Sequence, residues 1–195
     1  MTELAQTFTI HGQTPEALAT ALMDEMQEGK VQGKQADYEF MKKLITAGAK
    51  LDHVHRWGRN PLQLAAGMQY HAIVDALIAA KSPLDAQDPE GFTALHMAAM
   101  VFSARTTRKL LDAGADPFLK DNTGKTARDY ALSTNDQKII VLYDTAIKNR
   151  TEAAQRAAEA AAAIKAADDQ YLAAGMPLPR AIRISWPLTL KGKSL

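Results

Sequence analysis

Between residues 88 and 121, DPEGFTALHMAAMVFSARTTRKLLDAGADPFLKD, apolar positions form two short helical stripes separated by polar turns. Asp88 to Gly91 reads as a turn. Thr93 to Met100 reads as a helix with Leu95, Ala98 and Ala99 on its apolar side, and Thr106 to Ala113 as a second with Leu110 and Leu111 inward. Gly114 stands where a left-handed residue ends a helix. The pattern recurs at a constant shift: Gly58, Gly91 and Gly124 are evenly spaced, and Leu44-Ile45, Leu77-Ile78 and Leu110-Leu111 keep the same interval. Ala65-Ala66, Ala98-Ala99 and Ala131-Leu132 follow it too. A period of about 33 residues means stacked repeats, each burying its apolar face on its neighbours.

Outside the clear repeats the pattern changes. Phe8 and Ile10 alternate with threonines in QTFTIH, which predicts a short strand or extended arm over residues 1–13. Thr14, Pro15 and Glu16 form a helix start, and Leu18, Leu22 and Met26 carry the stripe to about Gln27, with an end near Gly29. Tyr38, Met41, Leu44 and Ile45 form the next stripe, closed by Gly48. Residues 14–52 thus predict a degenerate first repeat that caps the stack. Repeats follow at 53–86, 87–119 and 120–147, the last with Ile139, Ile140, Leu142 and Tyr143 as packing positions on a helix over 136–147. Residues 148–175 are alanine-rich and predict a long helix, with Ile164, Tyr171 and Leu172 its only large apolar members. In the tail 176–195, Ile182, Ile184, Trp186 and Leu188 alternate with polar residues or proline. It packs on its own chain, adds to a partner's sheet edge or occupies a neighbouring protomer.

The repeats resemble the ankyrin family at D-x-x-G-x-T-P-L-H-x-A-A and I-V-x-x-L-L-x-x-G-A-D. Asp88, Gly91, Thr93, Leu95, His96, Ala98, Ala99, Leu110, Leu111, Gly114, Ala115 and Asp116 match. The preceding repeat matches at Gly58, Pro61, Leu62, Ala65, Ala66, Ile73, Val74, Leu77 and Ile78, but has His55 for Asp and Lys81-Ser82-Pro83 for Gly-Ala-Asp. The following repeat keeps Asp121, Gly124, Thr126 and Ala127. The resemblance covers residues 36 to 146. It implies an all-α fold, an ankyrin-repeat solenoid of about three to four repeats with an N-terminal capping helix, a long Ala-rich C-terminal helix and an extended C-terminal tail.

It also implies a non-catalytic module that meets a folded protein through a concave face of turn tips and inner helices. Mapped residue by residue, that face offers Arg56, Trp57 and Arg59 at the first tip, Glu90 and Phe92 at the second, and Asn122, Thr123 and Lys125 at the third. The inner helices add Met68, Gln69, Met97, Met100 and Val101. Trp and Arg dominate binding hot spots, and methionine adapts to irregular apolar surfaces. The competing expectation is that Trp57 and Phe92 tuck against neighbouring turns and that Met97 and Met100 pack between helices. The tail residues Ile182, Ile184, Trp186 and Leu188 are further binding candidates.

Composition narrows the classes. With 23 Lys and Arg against 22 Asp and Glu, the net charge of +1 argues against a nucleic-acid grip driven by bulk charge. There is no cysteine, so neither disulfides nor thiolate metal sites are available. Residues 1–10 lack the basic start and apolar core of a secretory signal, and no apolar run reaches the roughly 20 residues of a membrane span, so a cytoplasmic protein is expected. Gly124-Lys125-Thr126 imitates a phosphate loop, but Leu119 occupies the place of its earlier glycine. His53 and His55, two apart at a turn tip, offer only a weak metal pair, since a site needs three or four ligands and no third is near in sequence. His96 fits the family's turn-to-turn hydrogen bonding. No cofactor, metal or catalytic constellation is expected. The alanine-rich composition suggests a bacterial source, and with it an inhibitor, an immunity-type antitoxin or an effector. A structural protein that forms a homodimer by exchanging its C-terminal extension is the second expectation.

Overall fold

The computed structural model describes residues 10, 12–31, 37–134 and 136–173. The expected strand at QTFTIH falls mostly outside them, and the tail with Ile182, Ile184, Trp186 and Leu188 lies wholly outside. The chain divides into two compact units, Met1–Ile147 and Lys148–Leu195.

The described residues form eight helices: α1 Pro15–Val31, α2 Tyr38–Thr46, α3 Pro61–Gly67, α4 His71–Ala79, α5 Ala94–Met100, α6 Ala104–Asp112, α7 Ala127–Thr134 and α8 Gln137–Ala173. Within the first unit, α1, α3, α5 and α7 stack in sequence as an inner row, while α2, α4 and α6 form an outer row. Each outer helix also packs on the inner helix that precedes it. This is an all-α ankyrin solenoid, in which α1 and α2 pack on each other and, respectively, on α3 and α4.

Caps explain where the short helices begin. Thr14 Oγ1 accepts from the Ala17 N–H at 3.2 Å, with Pro15 at the first helical position. The helix continues to Val31, past the end expected near Gly29, because Gly29 keeps helical backbone. Asn60 and Gln63 cap α3 reciprocally: Asn60 Oδ1 accepts from Gln63 N–H at 2.9 Å and Gln63 Oε1 accepts from Asn60 N–H at 2.7 Å. Thr93 and His96 make the same reciprocal cap on α5. Helix α6 begins at Ala104 rather than at the expected Thr106. Ser103 caps it, its Oγ accepting from the Thr106 N–H at 3.4 Å, and its hydroxyl also donates to Thr106 Oγ1 at 2.9 Å.

Three helix ends share one geometry. The N–H groups of Gly48 and Ala49 donate to Ile45 and Leu44, those of Lys81 and Ser82 to Ile78 and Leu77, and those of Gly114 and Ala115 to Leu111 and Leu110. All three leading residues have positive φ, +92°, +63° and +99°. Lys81 therefore adopts a left-handed backbone that glycine adopts without steric cost.

The core runs along the row. Leu18, Leu22 and Met26 of α1 are buried, as are Met41, Leu44, Leu62, Ile73, Leu77, Leu95 and Leu110. Each such side chain contributes about 1.5–3 kcal/mol on burial. Ile139, Ile140 and Tyr143 of α8 join them. Tyr143 is fully buried and donates its hydroxyl to the Leu95 carbonyl at 3.1 Å, and that burial pushes its phenol well above the ordinary range. Thr106 and Thr107 also occupy the core.

In the unit Lys148–Leu195, helical residues 153–167 are exposed, Ile164 among them. Glu152 pairs with Arg156 at 3.5 Å and with Lys148 at 3.9 Å. Such surface i,i+4 pairs add about 0.3–0.5 kcal/mol to a helix already favoured by alanine.

Candidate protein-interaction face

Three turns project from the starts of α3, α5 and α7, and they are built alike. In each, the first residue's N–H donates to the carbonyl four residues on: His55 to Arg59 at 2.8 Å, Asp88 to Phe92 at 3.0 Å, Asp121 to Lys125 at 2.9 Å. The glycine N–H closes the turn on the first residue's carbonyl, from Gly58, Gly91 and Gly124 at 2.7, 2.8 and 2.9 Å.

Successive turns are fastened together. A Cβ on Gly91 would lie 2.7 Å from Asn122 N, and one on Gly58 would lie 2.4 Å from the Pro89 ring. Both glycines have positive φ, +85° and +73°, so each supplies a close approach as well as a left-handed backbone. Asn122 donates from its backbone to the Glu90 carbonyl at 3.0 Å and from Nδ2 to the Pro89 carbonyl at 2.8 Å. Gln63 Nε2 donates to the carbonyls of Phe92 at 2.7 Å and Ala86 at 2.9 Å. His96 holds the matching position one repeat later and faces the Lys125 carbonyl with Nε2 at 3.2 Å.

The second and third turns are braced by carboxylates. Asp88 Oδ1 accepts from the N–H groups of Glu90 and Phe92 at 3.1 and 2.8 Å. Asp121 Oδ1 accepts from Thr123 N–H at 2.8 Å, the Thr123 hydroxyl at 2.7 Å and Lys125 N–H at 3.0 Å, and Oδ2 accepts from the Tyr130 hydroxyl. Burial opposes the Asp121 charge, but these bonds outweigh it and hold the carboxyl well below the usual range. The first turn has His55 at this position. Its ring lies 3.3 Å from Gln27 Nε2 and stacks tilted on Trp57 with centroids 4.8 Å apart. Burial, aided by the Arg56 charge and opposed by Asp24, pushes its pKa down.

The expected contact residues separate into groups. Arg56 and Trp57 are exposed, Trp57 to 51%, with the Arg56 guanidinium 4.5 Å over the indole. Glu90, Asn122 and Lys125 are exposed at the other two tips, as is Gln69 at the end of α3. Met68, Met100 and Val101 are half-buried, and Gln69 Nε2 donates to the Val101 carbonyl at 3.1 Å. Phe92 is half-buried in a ring cluster with His96 and Tyr130, centroids 5.8 Å from each, and Lys125 Nζ lies 5.6 Å over Tyr130. Two residues serve the fold itself. Arg59 Nε bonds the fully buried Asp88 carboxylate at 3.1 Å, and Met97 is buried against Gly67.

The sequence pattern did not single out Phe102, which is 57% exposed with φ of +56°. It stands one repeat after Gln69, whose φ is +61°, and that spacing was the available signal. His53 faces Thr20 at 3.4 Å and His55 faces Gln27, so the two imidazoles are separately engaged. Among the described residues no group of three or more His, Cys, Asp or Glu is placed to hold a metal ion. Among the described residues no helix is long and apolar enough to cross a membrane.

Turns fastened in a row over stacked inner helices define a helical repeat array. Residues 31–121 match the family model described as ankyrin repeats (3 copies), and this part of the chain belongs to the ankyrin-repeat family. Its repeats are, in general, non-catalytic protein–protein interaction modules. Over 111 residues the chain is 29% identical to inactive serine/threonine-protein kinase TEX14 of Bos taurus, covering 57% of this chain and 7% of that protein. It is 25% identical over 180 residues to mitochondrial disaggregase of Bos taurus, covering 73% and 26%. With Neurogenic locus Notch protein of Drosophila melanogaster it shares 39% over 64 residues, 32% of this chain and 2% of that protein. The chain thus spans about a quarter or less of the length of these relatives. All three are animal proteins, which lends no support to the bacterial source expected from composition.

Proposed function

We propose that this chain recognises a folded protein partner through the row of turn tips and the adjoining ends of the inner helices, and acts by occlusion or scaffolding. The observation that carries this reading is the half-exposed Trp57 under Arg56, at the edge of a row of turns that hydrogen bonds hold rigid. A rigid face loses little conformational entropy on binding, so more of its contact energy appears as affinity. Glu90, Asn122, Lys125, Met68, Gln69, Met100 and Val101 complete the contact surface. Phe92 lies behind it, and Met97 and Arg59 hold it in place. The inhibitor, immunity-type or effector role is the occlusion form of this reading, and a cytoplasmic location goes with it.

The test is capture of partners by the full chain and by a version ending at Lys148. A partner held by both supports recognition by the repeats. A partner lost on truncation moves recognition to residues 149–195 and overturns the reading.

A second reading, exchange of the C-terminal extension between protomers to give a homodimer, draws on the separate unit Lys148–Leu195 and its exposed Ile164. A full-length chain that sediments as a monomer at high micromolar concentration removes it.

A further inference from the structure

We infer that the first turn tip is an acid-recognition element: Arg56 takes a carboxylate of the partner while Trp57 packs the apolar side chain next to it. This rests on the protein-binding reading above and adds the partner's chemistry to it.

Equivalent positions in the three turns carry the argument. Arg56 corresponds to Pro89 and Asn122, residues that the row itself uses. Pro89 packs on Gly58 of the preceding turn, and Asn122 bonds the carbonyls of Pro89 and Glu90. The glycine that stands ahead of α1 as Gly58 stands ahead of α3 is Gly12, and a Cβ there would meet nothing within 4 Å, so Arg56 makes no approach like that of Pro89 on Gly58. Both it and Trp57 are left exposed. Arg59, the other cation of this tip, is already committed to Asp88. Arg56 forms no ion pair with a carboxylate among the described residues, and its guanidinium rests on the Trp57 ring. The ring is itself held by stacking on His55, which is anchored to Gln27.

The result is a cation fixed over an aromatic plate, with its N–H edge open to a ligand. A guanidinium offers paired donors that match a carboxylate bidentately, and it can do so while stacked on an aromatic face. Indole adds apolar area with little rotamer entropy to lose. A nucleic acid would also offer an anion and a stacking ring. Two features disfavour it: Asp24 lies close enough to act on His55, and Glu90 is exposed at the next tip. A polyanion would meet both acids and a chain of net charge +1.

The test follows the indole N–H resonance of Trp57 in the full-length protein, assigned as the signal absent from Trp57→Phe and so distinguished from Trp186. The probes are an acetylated and amidated Ser-Leu-Glu-Leu-Ser peptide with a single carboxylate, the same peptide with Lys for Glu, and a ten-nucleotide oligothymidylate. The expected result is a saturable shift with the acidic peptide alone, weakened at least tenfold in Arg56→Gln. The inference is overturned by no shift at millimolar peptide, by an equal or larger shift from the lysine peptide or the oligonucleotide, or by unchanged binding in Arg56→Gln. If captured partners bind Arg56→Gln normally, this inference fails while the protein-binding reading stands. If the repeats capture no partner at all, that broader reading fails separately.

Discussion

Gln63 and His96 stand one repeat apart and perform the same two tasks: each closes the reciprocal cap of its own inner helix, and each reaches a backbone carbonyl of the following turn. One is an amide and the other an imidazole, yet both present an acceptor to their own cap and an N–H to the next repeat. The Thr93 N–H donates to His96 Nδ1 at 3.2 Å, which leaves the ring proton on Nε2, facing Lys125.

The equivalence implies that His96→Gln keeps most of the stability, whereas His96→Ala loses about 2–3 kcal/mol through an empty volume and unpaired polar groups. Urea unfolding of the two variants measures the difference. Equal losses would show that the imidazole does something the amide cannot.

Neutral His96 also gives the fold a pH dependence. Burial lowers its folded pKa, more than the Lys125 carbonyl and nearby Asp121, Asp88 and Asp129 raise it, and burial lowers those of His55 and His71 as well. Below the ordinary histidine pKa of 6.5 the unfolded chain takes up protons that the folded chain refuses. Stability is therefore complete above that pH, declines as pH falls below it, and levels off under the folded values. Chemical unfolding between pH 7.5 and 5 should show this slope, and His96→Gln should reduce it without abolishing it.

Gly91→Ala is expected to cost about 1–3 kcal/mol, since its Cβ would meet Asn122 backbone at 2.7 Å with φ at +85°. The damage should appear as faster hydrogen exchange in the second and third turns. A variant as stable as the parent would mean that the turns separate without penalty.

Lys81→Gly is expected to stabilise the protein by about 0.5–1 kcal/mol. It would put glycine at the left-handed helix end, as at Gly48 and Gly114. Thermal unfolding should move upward. No change would mean that the Lys81 stem contributes packing that offsets its backbone strain.

The two arginines of the first tip should behave differently. Arg59→Ala removes the partner of buried Asp88 and should destabilise by about 1–2 kcal/mol, while Trp57→Ala, half-exposed, should stay within about 0.5 kcal/mol of the parent. Melting curves beside partner-binding isotherms separate the roles. Equal stability in both variants would return Arg59 to the contact surface.

Much of this molecule was legible along the chain. The repeat period located the turns, the inner and outer helices and the left-handed glycines, because each local signal is a short-range preference repeated in register. His96 was legible for the same reason. Gln63 was not, because an amide in a helix gives no sign of the carbonyl it will meet in the next repeat. The burial of Thr106 and Thr107 was not legible either: Ser103 caps α6 and brings Thr106 into a buried hydroxyl pair that spacing alone does not announce.

By itself the sequence determined the repeat register, the helix pairs and the candidate tips, since these depend on spacing and local propensity. Tertiary structure alone decided which tip residues are free. Arg56 and Arg59 are indistinguishable as letters; packing the second turn against the first ties Arg59 to a buried carboxylate and leaves Arg56 over an exposed indole. Charge pairing between neighbouring repeats depends on distances that only the stacked chain creates.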